Sequence, residues 1–402
     1  MLPRHLVSAA FSPAFGRQMR FIVGPRQAGK TCMVRAFLQE TGFNTLYFNW
    51  DQAVVYQRYR KDPYFYWSDA FTLRDRKPWV CFDEIHKARK WKNILKDGFD
   101  RFEGKLRFVV TGSASLDLRR KAGDSLAGRF FAFHLNPLTL GEVLKRPAPQ
   151  PHSKAATWIA ERLDHAVIPD NAVRAMLEYG PFPEPFLKHT RIFRNRWATD
   201  YLDRLIRGDM RDMTPLSDLH SIEELVRLLP ERVSSPLSMR SLLEDLQVSH
   251  PTVKRHLEIL GDFFLVFSAP PWARSIARSI RRERKYYFFD FGVVPNPGSR
   301  FENLVAMELK SRCNLWTDAG SAHFDLHYVR TRDGKETDFL VTRDSKPWAL
   351  FESKLTDGPI ASHNRVHSKA LGQIPLVQIC REQGVRIIGS DNTYRISAGS
   401  LF

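Results

Sequence analysis

The stretch FIVGPRQAGKTCMVRAF, beginning at Phe21, constrains this chain more than any other. Gly24, Pro25, Arg26, Gln27, Ala28, Gly29, Lys30 and Thr31 satisfy G-x-x-x-x-G-K-[ST] in full. A short apolar run, Phe21 to Val23, precedes the loop and predicts a buried strand. Cys32, Met33, Phe37 and Leu38 follow at helical spacing. A strand, a glycine turn and a helix N-terminus aim backbone amides and a positive dipole at one point, which suits a phosphate. Gly24 through Cys32 are therefore the expected nucleotide-binding residues. Lys30 reaches the β- and γ-phosphates of ATP, and Thr31 holds Mg2+.

Such a loop requires a carboxylate for the metal and a base for water. PWVCFDEIH supplies both at the end of an apolar run: Asp83 for the metal and Glu84 for the attacking water. A third apolar run, RFVVTGSA, ends in polar residues, of which Ser113 is the expected γ-phosphate sensor. Arg129, in DSLAGRFFAFHL, is expected to act in trans on a neighbouring subunit's nucleotide, which implies a homo-oligomer.

The chain has 402 residues and a formal charge of +17. That excess favours a polyanionic partner, and DNA, duplex or branched, is the expected one. The four cysteines are far apart, show neither zinc nor disulfide spacing, and sit among apolar residues. Buried free thiols and a cytoplasmic location follow as expectations. No apolar run approaches the roughly 18 residues that a membrane span requires. The first twenty residues lead directly into the first strand and are read as part of the nucleotide-binding core.

KRPAPQPHSKAAT, near residues 145–157, predicts a linker. A mostly helical region follows and is expected to close over the nucleotide as a lid. SMRSLLEDLQVSHPTVKRHLEIL predicts a helix-turn-helix with Ser249 as cap and Pro251 in the first turn. Val253, Leu257 and Leu260 form its buried face, so Thr252, Lys254, Arg255 and His256 are expected to face outward. A basic wing follows, with six Arg or Lys between Arg274 and Lys285. Thr252, Lys254, Arg255, Arg274, Arg278, Arg281 and Arg282 are the expected DNA contacts.

ETDFLVTRDSKPWALFESKL predicts a β-hairpin. Glu352 and Lys354, two apart on one strand, share a face. A three-residue loop of Asp344, Ser345 and Lys346 places Asp338 opposite Glu352. Two carboxylates then hold Mg2+, which activates water, and Lys354 orients that water. His323, His327, His363 and His367 are read as surface residues.

GPRQAGKT, FDEIH, VVTGSAS, SLAGRFFAFHLNPLT, YGPFPEPF, KYYFFDFG, FENLVAMEL, ETDFLV and FESK, in this order, resemble a large prokaryotic family. Its members join an AAA-type ATPase core to a C-terminal domain of restriction-endonuclease fold, the PD-(D/E)xK type. The resemblance covers nearly the whole chain. It implies an α/β protein: a P-loop AAA-type core at 1–145, helical lid and linker at 146–230, winged helix-turn-helix at 231–290 and nuclease-like domain at 291–402. It also implies Glu302 as a further carboxylate for the C-terminal metal. The function expected is ATP hydrolysis coupled to DNA handling, with Mg2+-dependent cleavage by the C-terminal domain, catalysed by Asp338, Glu352 and Lys354. The rivals are a DNA motor whose nuclease fold only grips, and a nucleotide-controlled switch for a protein partner.

Overall fold

A computed structural model of the chain describes residues 2–73, 77–112, 126–163, 171–211, 216–273 and 283–402. They divide into two compact units, Arg4–Pro137 first and then Leu138–Phe402, to which residues 2–3 also belong. The Pro-rich stretch near residue 145 lies inside the second unit. It is anchored there by Trp316 Nε1 donating to Pro149 O at 2.9 Å and by Arg146 donating to Gly399 O at 2.7 Å.

In the first unit, β1 (Met19–Val23), β2 (Tyr47–Asn49), β3 (Trp79–Asp83), β4 (Arg107–Thr111) and β5 (Phe130–His134) form a parallel sheet in the order β2-β3-β4-β1-β5. β1 and β3 are buried along their whole length, Arg20 and Asp83 included, as strands of a parallel sheet covered on both faces are. Because β4 lies between β1 and β3, its last residue, Thr111, falls between the glycine loop and Asp83. The N-terminal segment is part of this unit. Arg4 donates to Ala28 O at 2.6 Å and so anchors the glycine loop from behind. Arg20, also buried, donates to the carbonyls of Ala10, Phe15, Ser12 and Gly16.

The second unit begins with helices. Trp158, fully buried on the helix Ala155–Leu163, packs at ring-centroid distances of 5.8 Å against both Trp316 and Trp348. Helices Met239–Leu246 and His250–Asp262 follow, then an antiparallel ladder of β6 (Val266–Ala269) and β7 (Lys285–Phe288). Val253, Leu257 and Leu260 are buried as expected, but so is His256, at 0 % exposure. It lies three residues beyond Val253, and that interval returns a helix to the same face.

A six-stranded mixed sheet completes the unit, in the order β12-β13-β11-β10-β9-β8. Its strands are β8 (Phe324–Arg330), β9 (Glu336–Arg343), β10 (Lys346–Lys354), β11 (Leu376–Cys380), β12 (Arg386–Ile388) and β13 (Thr393–Ser397). The long helix Pro297–Asp318 packs on it and clamps β7: Asn303 exchanges two hydrogen bonds with the Phe288 backbone, at 2.8 and 2.9 Å.

Two of the sequence stretches quoted above meet in this unit. Arg194 makes a doubly hydrogen-bonded pair with Asp290, at 2.7 and 2.9 Å, with both side chains 6 % exposed. Gly180 and Gly292 flank it. A Cβ on Gly180 would stand 2.9 Å from an Asp290 carboxylate oxygen, and one on Gly292 would strike the Arg194 guanidinium. YGPFPEPF and KYYFFDFG thus supply the space and the anion for one buried ion pair. Removing one partner leaves an uncompensated buried charge. Asp290→Ala is expected to lower unfolding free energy by about 3–5 kcal/mol, read from urea denaturation. A loss under about 1 kcal/mol would show that the pair organises nothing.

Candidate functional sites

The first site lies at the carboxyl ends of β1, β3 and β4, where ligands bind in open α/β sheets. Gly24 has φ 149° and packs so closely that a Cβ would collide with Leu135 O. Gly29, at φ 96°, turns the chain into the helix Lys30–Thr41. The first amides of that helix lack intrahelical acceptors and face the loop. Lys30 is buried, and its Nζ donates to Gly24 O at 2.9 Å and Pro25 O at 2.7 Å, so the ammonium is held inside the loop. Thr31 Oγ1 donates to Asp83 Oδ2 at 3.0 Å, which brings the two expected metal-binding side chains together.

Asp83 is held by two further hydroxyls, those of Tyr47 and Thr111, which sequence reading did not single out. The pairing of Asp83 with Thr111 across adjacent strands explains the second. Ser113, the expected sensor, lies outside the described residues. Glu84 has φ 55°, and its Oε2 is buried without a hydrogen-bond partner among the described residues, 3.5 Å from His86 Nε2. A carboxylate oxygen that makes no hydrogen bond among the described residues, on the residue that follows Asp83, fits a water to be polarised, so these residues suit Mg2+ and a nucleotide. Cys32 is exposed, unlike the other three cysteines, contrary to the expectation of four buried thiols. Arg129 is bonded twice to Asp100 of its own chain, at 2.8 and 2.9 Å, rather than projecting freely.

The second site lies on the sheet of the second unit. Asp338 and Glu352 do stand opposite one another, by a different route from the one expected. Asp344 and Ser345 form a two-residue turn, both with positive φ, and Arg343 pairs with Lys346. A bulge between Pro347 and Ala349 then inserts one residue, and Phe351 pairs with Phe339. Turn and bulge together equal the three-residue loop in register. Asp338 N donates to Glu352 Oε2 at 3.3 Å, and Asp338 Oδ2 accepts from Ser353 N and Oγ at 2.9 and 2.7 Å. Lys354 Nζ donates to Glu352 Oε1 at 2.6 Å.

Lys285, counted with the basic wing in the sequence, is fully buried at this site. Its Nζ is 2.6 Å from Glu336, 3.2 Å from Glu302 and 3.8 Å from Asp338. Tyr287 OH donates to Glu302 at 2.8 Å. Burial disfavours the Lys285 ammonium, but Glu302, Asp338 and Glu336 outweigh it and hold its pKa above the ordinary value. Burial, with the negative Asp338 nearby, pushes Glu302 up to about 7 and raises Glu352 as well. Glu302, Asp338 and Glu352 were expected to hold a divalent cation. They instead surround two ammonium groups, and no group of three His, Cys, Asp or Glu among the described residues is placed to hold a metal. The residues present therefore do not fit a metal: Lys285 already supplies the central positive charge. His367, expected at the surface, is buried and bonds Thr337 Oγ1 at 2.7 Å, while His363 contacts Glu336 O at 2.9 Å.

Of the expected DNA contacts, Lys254 and Arg255 are exposed, with Arg255 paired to Asp218. Thr252 bonds Ser249 Oγ at 2.8 Å. Arg274, Arg278, Arg281 and Arg282 lie outside the described residues. None of the described helices is long and apolar enough to cross a membrane.

Residues 16–144 match the AAA domain family, so the first unit carries an AAA-type P-loop domain. Residues 170–296 and 297–401 match two domains of unknown function, DUF8612 and DUF4143. Uncharacterized proteins of Mycobacterium tuberculosis and Mycobacterium bovis are each 25% identical over 358 residues, covering 85% of this chain and 71% of theirs. One from Haemophilus influenzae is 22% identical, covering 81% and 80%. Among solved structures, the Thermotoga maritima RuvB Holliday junction branch migration motor aligns at TM-score 0.30 and 16% identity, over 70% of this chain and 89% of that one. The Aeropyrum pernix ORC1 protein in complex with DNA aligns at TM-score 0.27 and 15% identity, over 75% and 90%.

Burial, aided by Arg26, pushes the Lys30 ammonium down to about 8 against the pull of Glu84 and Asp83. An unfolded lysine titrates near about 10.4. Between those values the folded protein holds fewer protons than the unfolded chain, so this group's contribution to stability rises with pH there. A triphosphate favours charged Lys30. Nucleotide binding above pH 8 is therefore expected to take up a proton and to weaken about tenfold per pH unit. Calorimetry in two buffers of different ionisation enthalpy reads the uptake, and its absence at pH 9 would contradict it. At the second site, Lys285→Met is expected to open a cation position. Mn2+ should then raise the variant's melting temperature beyond any rise in the parent, with Lys285→Met/Glu336→Gln as the less strained alternative. An equal Mn2+ response in parent and variants would show that Lys285 is no substitute for a metal.

Proposed function

We propose that this chain is an ATP-hydrolysing DNA-handling protein, in which the first unit turns over nucleotide and the second grips DNA without cutting it. The observation that carries the reading is the convergence of Lys30, Thr31, Asp83 and Glu84 at adjacent strand ends. Lys30, drawn from the loop carbonyls, neutralises the β- and γ-phosphates. Thr31 and Asp83 hold Mg2+, which supplies charge stabilisation at the transferred phosphoryl group. Glu84 orients the attacking water through its unpartnered oxygen, and Thr111 and Tyr47 fix Asp83. To act on a neighbouring subunit's nucleotide in an oligomer, Arg129 would have to leave Asp100.

DNA as the partner is supported by the charge of +17 and by the exposed Lys254 and Arg255 on the second helix of the helix-turn-helix pair. In a winged-helix reading, β6 and β7 are the wing's strands. Asp338 opposite Glu352, with Lys354 beside them, supports reading this sheet as nuclease-like in fold. The buried Lys285 is the observation that favours gripping over cleavage, because it supplies the positive charge where a hydrolytic cation would stand.

The test follows ATP turnover and strand scission together on duplex, branched and single-stranded DNA with Mg2+. Lys30→Ala and Glu84→Gln are each expected to lower turnover about 10²-fold or more, the scale of lost preorganised electrostatics. No scission is expected. Scission that disappears in Asp338→Ala would replace gripping by cleavage. Failure to bind any DNA at low salt would favour a switch acting on a protein partner.

A further inference from the structure

We propose that an arginine-lined cleft in the second unit is a binding site for a nucleic-acid phosphodiester backbone; this rests on the DNA reading above and names the surface. The cleft measures about 1250 Å³ and is lined by Arg174, Arg191, Arg194, Arg300 and Arg381. It exceeds the usual few-hundred to about 1,000 Å³ of a small-molecule pocket, which suits a chain ligand.

Its charge is unbalanced toward the positive. Five arginines face two acids in the lining: Glu178 is paired with Arg191, whose Nε donates to it at 2.7 Å, and Glu382, which accepts from Asp357 N at 2.7 Å, offsets one arginine more. Arg194 is paired with Asp290. Arg300 donates to the Val294 and Pro295 carbonyls, at 2.7 and 3.4 Å, and so keeps its charge. Arg174 and Arg381 are exposed at the rim. All five cations are arginines, whose planar fork matches phosphate oxygens in pairs. Among the described residues the lining has no aromatic ring, so it offers no stacking platform for bases. It therefore grips backbone and is indifferent to sequence.

The position of the cleft links it to the second site. Leu355 and Thr356, which line it, directly follow Lys354, and Arg381 N donates to Lys354 O at 2.9 Å. β10 thus ends in the Glu352–Lys354 pair and continues into the wall of the cleft. A strand lying in the cleft runs past that pair.

The test uses the full chain and labelled oligonucleotides of one sequence, single-stranded and duplex, by fluorescence anisotropy between about 50 and 200 mM salt. Arg174→Glu/Arg381→Glu is expected to weaken binding at least tenfold and to lower the slope of log affinity against log salt by about two on duplex DNA, one for each phosphate contact removed. The milder Arg174→Gln/Arg381→Gln should move both in the same direction, and the urea midpoint of each variant reports the fold. Unchanged affinity and slope in folded variants, with DNA still bound by the parent, would overturn the cleft while leaving the DNA reading intact. A parent that binds poly-glutamate through these arginines but no DNA would overturn both. Inorganic phosphate displacing the oligonucleotide at equal phosphate concentration would show a single-anion site and overturn the chain-ligand assignment.

Discussion

One buried ammonium organises the second unit. Lys285 joins β7 to the helix Pro297–Asp318 through Glu302 and to β9 through Glu336 and Asp338, so three elements distant in sequence converge on a single charge. A lysine buried alone would lose its proton or unfold its surroundings, because desolvation of an unpaired ion is prohibitive. Glu302, itself buried and already raised, would be pushed further toward neutrality without it. Each sign makes the other tolerable, and the cluster fixes how the ladder of β6 and β7 meets the sheet.

The first unit follows the same logic with smaller means. Asp83 is buried at the end of β3, and three hydroxyls, from Thr31, Tyr47 and Thr111, surround its carboxylate. None of them carries charge. Its hydrogen-bond partners are thus all neutral hydroxyls, whereas Glu302, Asp338 and Glu352 of the second unit already have ammonium partners. The contrast between hydroxyl partners and ammonium partners separates a carboxylate still open to a cation from carboxylates that have already met one.

How much was legible follows from the range of each interaction. The glycine loop is local: eight consecutive residues specify its turn, its lysine and its helix start, so Gly24 to Thr31 could be read directly. Asp83 and Glu84 could be found because chemistry demands them after a buried run. Thr111 and Tyr47 could not, since their role depends on strand order. The pairing of Asp338 with Glu352 was reached although the connection was misjudged, because a two-residue turn and a bulge change parity as a three-residue loop does. His256 was misplaced by assigning the buried face to too narrow a stripe. Lys285 sat at the end of a basic run and looked like surface; only its contacts with residues far along the chain reveal it as core. The family resemblance marked KYYFFDFG without explaining it, and the structure supplies the reason in Lys285, Asp290 and Gly292.

The charge excess can be located by the same accounting. Among the described residues the buried cations are Arg20, Lys30, Arg162, Arg194, Lys285 and Arg312, and the buried acids are Asp83, Glu142, Asp290, Glu302, Glu308 and Glu352. The two sets are equal in number, so the buried described residues add nothing to the formal charge of +17, which comes from the rest of the chain. This neutrality is what solvation requires, because an unbalanced core would be costly at any pH. A positive excess outside the buried core is the kind of charge that draws a polyanion from a distance and releases the polyanion's counterions on contact. Attraction of that kind is indifferent to sequence, and in the proposed reading it would fall to rigidly placed arginines, held by helices and strand ends, to decide where a phosphate chain comes to rest.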